Sequence, residues 1–263
     1  MKLKVQFVNA FTDVIFKGNS AAVILIDTWL SDGVMQAIAT ENNLSETAFV
    51  KPRTLGIYEI RWFSPITEID FCGHATLAAS FVLFAKDNSL TEITFLTTSV
   101  GELTVIKQGD DYFQMSFPNR KPKALSSIPS SLLSGLSIPP KHVLLSEQAY
   151  FVIYNGECDV ENVVYNNKLL KELAPYDVVV TAPSVKYDFV SRYFWPANGG
   201  DEDPVTGSIH AGLAPYWAEK LGKDKLTAFQ ASKRGGELRC VIENDRVLVS
   251  GKAIQYLEGE ITI

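Results

Sequence analysis

Apolar and polar residues alternate with a period of two along most of the chain. "KVQFVN", "GIYEIRWF", "EITFLTTS", "ELTVIKQ", "YFQMSF", "DVVVTA", "ELRCVIE" and "RVLVS" alternate or are rich in β-branched and aromatic residues, the pattern of short strands. Gly109-Asp110 and Asn244-Asp245 each lie between two such runs, which is hairpin chemistry. Helical periodicity is confined to a few segments. "SDGVMQAIATENN" has apolar residues at Val34 and Ile38 behind Ser31, a possible cap. "NKLLKELAPYD" reads as a short helix stopped before Pro175. Two longer apolar runs predict helices that begin near Gly73 and near Gly207. Both are apolar nearly all round, so both must be buried.

Those two helices belong to a repeat. "TEIDFCGHATLAASFVLFAK" and "DEDPVTGSIHAGLAPYWAEK" share an acidic lead-in, a glycine and an Ala/Leu/aromatic run, and Gly73 and Gly207 stand 134 residues apart. The hairpins that follow, "GELTVIKQGDDYFQMSF" from Gly101 and "GELRCVIENDRVLVS" from Gly236, are offset by 135. Two independent markers with nearly one offset point to a duplicated unit of roughly half the chain. The expected fold is α+β: two pseudo-symmetric lobes, each a strand-rich sheet around one central helix. The N-terminal lobe is placed at residues 1–118, joined by the last strand at about 252–263, and the C-terminal lobe at 119–251. "IPSSLLSGLSIPP" (Ile128 to Pro140) reads as a surface connection between them. If the lobes pack as mates, the two helix N-termini, with unpaired N–H groups and positive dipole ends, can face one cleft and hold a carboxylate or a developing enolate.

Composition narrows the partners. The chain has 263 residues, is 46% apolar and carries a net charge of −6, which argues against a polyanionic partner. "KRGGELR" is the nearest thing to a basic cluster and suits a solvated turn better than a nucleic-acid site. Cys72, Cys158 and Cys240 are too few and scattered for a disulfide framework. The opening "MKLKVQFVNAF" alternates like a strand and does not read as a signal peptide, and no run of 18 apolar residues would span a membrane. The expectation is a cytoplasmic globular protein that acts on a small anionic molecule, with no nucleic-acid or membrane partner.

Candidate chemistry gathers at the helix heads. Cys72 precedes a helix N-terminus, a place that lowers a thiol pKa, although buried free cysteines are common. His74 occupies the second position of the same expected anion site. Metal binding would want further ligands at recognisable spacing, and no metal is expected. A Cys–His hydrolase is disfavoured because side chains at i and i+2 point apart on a helix. In "DEDPVTGS", Asp203 is held extended before Pro204, while Thr206 or Ser208 could cap the second helix. Thr206 also stands where Cys72 stands in the first half, which argues against a two-thiol mechanism. Glu46 lies in the apolar run of "NNLSETAFV", where a carboxylate is unwelcome without a partner or a task. Arg192 is open to two readings, a contact with a substrate carboxylate or an ion pair with a nearby acid.

"GNSAAV", "NNLSETAFV", "WFSPITEIDFCGHATLAAS" and "SRYFWPANGGDEDPVTGSIHAGLAPYWAEKLG" together resemble the phenazine-biosynthesis PhzF-like isomerase family, from the first strand to the last. The resemblance implies a diaminopimelate-epimerase-like fold, two lobes each with a barrel-like sheet around a helix and an active site between them, and a homodimer. It also implies a cofactor-independent proton shift next to a carboxylate or enol. Glu46 is then the acid/base, and His74, Asp203 and Ser208 complete the catalytic set. Asn19, Ser45, Cys72, Gly73, Ala75, Thr206, Gly207 and Ile209 are the implied substrate contacts. In the phenazine enzyme such a set isomerises a dihydro-hydroxyanthranilate. This chain departs from the family pattern in Gly18-Asn19-Ser20, which commonly ends in proline, and in "FCGHAT" where phenazine enzymes have "FAGHP". The reaction type is therefore better supported than the substrate. Two other outcomes stay open: an epimerase with Cys72 as a base, and a small-molecule-binding protein without turnover.

Overall fold

A computed structural model describes all 263 residues. The chain divides into two units, residues 1–116 with 250–263, and residues 117–249. Each is built on the same order of strand pairings.

In the first unit, β1 (Lys2–Ala10) pairs antiparallel with β2 (Asn19–Leu25) and with the C-terminal strand Ala253–Thr262. β2 pairs parallel with β3 (Glu46–Thr54), and β3 antiparallel with β4 (Ile57–Phe63). β4 then runs parallel to Glu92–Leu96, whose other neighbour is the antiparallel Glu102–Lys107. The second unit repeats this. His142–Leu145 and Ala149–Ile153 are antiparallel, Asp177–Pro183 joins in parallel, and Phe189–Phe194 is antiparallel to it. Lys225–Gln230 follows in parallel and Gly236–Glu243 antiparallel. Parallel neighbours cannot be joined by a tight turn, so helical crossovers link them. In the first unit these are α1 (Asp32–Asn42) and α2 (Gly73–Lys86).

α2 fills the middle of the first unit. It touches β1, β2, β3, Glu102–Lys107 and the C-terminal strand, so it has no solvent face over most of its length. Gly73 to Ser80 and Val82 to Phe84 are all buried. Full burial of Leu77, Leu83 and Phe84 contributes about 1.5–3 kcal/mol each. The second unit's counterpart is α3 (His210–Leu221), buried from His210 to Ala218. Pro215 lies inside it and lacks the N–H that Ala211 O would accept. The Arg120 amide donates to Ala211 O instead (3.0 Å), which satisfies the carbonyl.

Three sequence expectations need correction. α3 begins at His210 and not near Gly207, because residues 207–209 form a tight turn. Its amides bond three residues back, His210 N to Gly207 O (3.2 Å) and Ala211 N to Ser208 O (3.1 Å), before the helix proper starts. Ser31 stands at the N-cap of α1 in extended conformation but makes no capping side-chain bond. "IPSSLLSGLSIPP" lies wholly within the second unit. It holds the short helix Ser130–Ser134 and sends Leu132 and Leu136 into that unit's core, so its Ser/Pro content conceals two core residues. No helix is long and apolar enough to cross a membrane.

Candidate active site

The site in the first unit is assembled by strand register. Asn43 takes the left-handed conformation (φ 48°) and ends α1, and β3 opens three residues later on Glu46. β2 and β3 are parallel, with Ala21 opposite Glu46, so the first residues of both strands, Asn19 and Glu46, issue from the same end of the sheet. The head of α2, Cys72 to Ala75, lies at that end.

Cys72 is the N-cap of α2, extended (φ −141°, ψ 111°) rather than helical. The i, i+2 argument for side chains pointing apart therefore does not hold here, and Cys72 Sγ stands 3.4 Å from His74 Nδ1. The other ring nitrogen, Nε2, is 2.9 Å from Glu46 Oε2. That is ion-pair distance, and apart from this pairing Glu46 Oε2 is buried without an aligned hydrogen-bond donor. Cys72, His74 and Glu46 expose only 6%, 6% and 8% of their surfaces. Asn19 Nδ2 lies 3.1 Å from His74 Nδ1, and Ser45 Oγ donates to Asn19 Oδ1 (3.1 Å). Gly73 and Ala75 are buried in the first turn, where the amides of Gly73 and His74 have no acceptor within the helix.

Electrostatics separates the two candidate bases. Burial pushes the Cys72 thiol up to about 11, and the Glu46 carboxylate pushes the same way against the opposite pull of His74. The expected lowering by the helix end is overridden by desolvation, and Cys72 is a thiol at neutral pH. Burial alone would pull His74 down. Cys72, once its thiol ionises at high pH, and the Glu46 carboxylate outweigh it and hold His74 well above its ordinary value.

One ligand atom each from Glu46, Cys72 and His74 lie within 4.8 Å of one another, close enough for a single metal ion to reach all three. Spacing along the sequence could not disclose this set, because Glu46 arrives from a different strand.

In the second unit, Asp203 accepts a hydrogen bond from Thr206 Oγ1. Gln230 clasps the same loop: Nε2 donates to Asp203 O (2.9 Å) and Thr206 Oγ1 (3.2 Å), and Oε1 accepts from Thr206 N (2.9 Å). Ser208 Oγ accepts from Gln148 Nε2 (3.0 Å), which also donates to the Tyr193 hydroxyl (3.0 Å). Tyr193 in turn donates to Asp177 Oδ2 (2.5 Å), a carboxyl that burial pushes up. Gly207 and Ile209 are buried in the turn before α3. Gln148, Asp177, Tyr193 and Gln230 had no sequence signal, since none stands in a recognisable motif and they come from segments far apart in the chain. Arg192 is settled as structural: Nε and Nη2 donate to the two oxygens of Glu202 (2.7 and 3.0 Å), and Nη1 to the carbonyls of Val160, Glu161 and Val163.

Residues 8–259 match the family model described as phenazine biosynthesis-like protein. A Pseudomonas aeruginosa protein named as an uncharacterized isomerase is 45% identical over 261 residues, 99% of each chain. The crystal structure of a PhzF-family phenazine biosynthesis protein from Enterococcus faecalis superposes with a TM-score of 0.95 at 39% identity, over the whole of both chains. A hydroxyproline epimerase from Agrobacterium vitis shares the fold at 10% identity, with a TM-score of 0.61 over 99% of this chain and 92% of its own. The expected two-lobed, epimerase-like α+β class is therefore the fold of this chain.

Proposed function

The chain belongs to the phenazine biosynthesis-like family, and we propose that it is an isomerase that moves a proton at carbon next to a carboxylate or enol, with Glu46 as the acid/base. The observation that carries this reading is the buried Glu46–His74 pair at the head of α2. Glu46 takes a proton from carbon, and the electron pair left behind moves onto the neighbouring carboxyl or enol oxygen. The free amides of Gly73 and His74 and the positive end of α2 are suited to that oxygen's charge. The protonated Glu46 then returns the proton to a second carbon. His74 holds the Glu46 side chain in place and offsets the carboxylate's charge before the first step and after the second. No oxidation state changes, so acid/base groups suffice for the chemistry. Asn19 and Ser45 support His74. Asp203 and Ser208 are candidates for the same reaction, and the assay below reads their variants too.

The raised Cys72 thiol argues against the epimerase alternative in which Cys72 is the base. The test is carbon deuteration in D₂O, followed by mass spectrometry, over a panel of dihydro-hydroxyanthranilate, cyclic and linear amino acids and enolic acids. Deuterium uptake that disappears in Glu46→Gln and persists in Cys72→Ser is the expected result. Uptake that depends on Cys72 and survives Glu46→Gln would overturn it.

A further inference from the structure

Glu46, Cys72 and His74 offer a carboxylate oxygen, a sulfur and an imidazole nitrogen, all buried and all within reach of one point. Two details argue that this is more than crowding. Glu46 Oε2 has no aligned donor although it is more than nine-tenths buried, which is an uncommon state for a carboxylate oxygen. The spacings also fit: Sγ to Nε2 is 3.9 Å and Nε2 to Oε2 is 2.9 Å. Bonds of about 2.0–2.3 Å to a tetrahedral zinc put neighbouring ligand atoms roughly 3.3–3.7 Å apart, so these two edges need change by only about half an ångström, and the third, from Sγ to the Glu46 carboxylate, lies within 4.8 Å.

We propose that Glu46, Cys72 and His74 form a reversible site for a zinc-class divalent cation, and that its occupation takes Glu46 out of service. The donor set selects the ion. Mixed sulfur, nitrogen and oxygen ligands suit zinc or cobalt, whereas magnesium and calcium want oxygen alone. Three protein ligands leave one position open for water. Binding displaces the Cys72 thiol proton and the His74 Nε2 proton, and both leave to solvent. A cation of charge +2 replaces two protons, nothing is oxidised or reduced, and the cluster's formal charge is unchanged. The inhibitory half of this inference rests on Glu46 being the acid/base. The binding half does not.

The experiment titrates cobalt(II) into the metal-free full chain carrying Cys158→Ser, which removes the exposed thiol. The expected result is saturation at one equivalent, with a sulfur-to-cobalt charge-transfer band in the near ultraviolet that zinc abolishes by displacement. Cys72→Ser should remove the band with circular dichroism unchanged, and Glu46→Gln should weaken cobalt binding about tenfold or more. A folded protein without the band, or a band that survives Cys72→Ser, overturns the site. Zinc-edge X-ray absorption on the Cys158→Ser chain decides the matter without touching a ligand. One sulfur among nitrogen and oxygen neighbours supports the site, and a shell without sulfur sinks it. Deuterium exchange that stops with stoichiometric zinc and returns with a chelator supports inhibition, and exchange undiminished with the site loaded refutes it. Absence of exchange in the metal-free protein counts against the isomerase reading alone, and cobalt still decides the site.

Discussion

His210 opens α3 with its ring wholly enclosed, 5.9 Å from the ring of Phe189. Nδ1 bonds the Thr206 carbonyl (2.9 Å), so Nδ1 carries the ring proton, and Nε2 is buried without a partner. A second proton at Nε2 would create a cation with nothing to accept from it. Desolvation accordingly lowers the group from 6.5 to about 4, and the bond to Thr206 opposes it only in part. The sign follows directly. Between pH 6.5 and about 4 the unfolded chain takes up a proton at this histidine and the folded chain does not, so stability is full above 6.5 and is lost as pH falls. At about 1.4 kcal/mol per pH unit the whole effect is about 3 kcal/mol, and about 2.5 kcal/mol of it is gone by pH 4.5. Against the 5–15 kcal/mol typical of a folded domain, that is a large share.

The perturbation is His210→Asn, which keeps a donor where Nδ1 was and cannot titrate. Urea unfolding of wild type and variant, followed by circular dichroism at several values between pH 7.5 and 4.5, gives the difference in stability at each pH. Changes common to both proteins, such as carboxylate protonation, cancel in that difference. The cavity left by the smaller side chain adds a constant offset. The wild-type advantage should shrink, or turn to a deficit, by about 2.5 kcal/mol across the range, with equal urea slopes. A difference flat to within about 0.5 kcal/mol would refute the argument, because it would mean that the buried ring is protonated as easily as a free one. His74 supplies a comparison of opposite sign. Its raised value makes its contribution full below 6.5 and lost as pH rises through the folded value, so wild type and His74→Asn should draw together on the alkaline side.

Other positions carry shorter tests. A Cβ on Gly212 would lie 2.6 Å from Phe151 Cζ and 3.1 Å from Arg120 O, and Phe151 has no exposed surface to move into, so Gly212→Ala should cost about 1–3 kcal/mol in chemical unfolding. Arg192→Lys keeps the charge but cannot span both oxygens of Glu202 and the three carbonyls together, and a loss of roughly 1–3 kcal/mol is expected by the same measurement. Of the three cysteines, only exposed Cys158 should react quickly with a colorimetric disulfide reagent in the native protein, while Cys72 and Cys240 wait for unfolding. Rapid modification of a second thiol would contradict the burial of Cys72 or Cys240, and Cys72→Ser tells which.

Much of the architecture was legible because it rests on local pattern and on repetition. Alternation marks a strand wherever one face is buried, and an all-round apolar run such as Gly73 to Phe84 admits no other home than a core. The glycine offsets announced a duplication that the strand pairings display, antiparallel and parallel in the same order in both units. Boundaries were less legible where backbone conformation decides them. The turn at Gly207 to Ile209 delays α3 by three residues although its composition is helical. The serines and prolines of Ile128 to Pro140 hid Leu132, which is buried by contacts from distant segments of the second unit.

The site divides along the same line. A glycine and a histidine at the head of a buried helix can be read from sequence, since a helix end makes its unpaired amides wherever it falls. Glu46 could be noticed as a carboxylate out of place, but what it meets is set by the register of β2 against β3, a relation between residues far apart in the chain. Cys72 shows how a correct rule fails on a wrong premise. Side chains at i and i+2 diverge on a helix, yet Cys72 is the extended residue before the helix, and that one dihedral change turns its sulfur toward His74. The same burial that assembles the three groups keeps the thiol protonated, so the residue that looks most reactive in sequence is poorly suited to be the base. It leaves Glu46 as the group whose removal should matter most, and it makes the sulfur a ligand in waiting rather than a nucleophile.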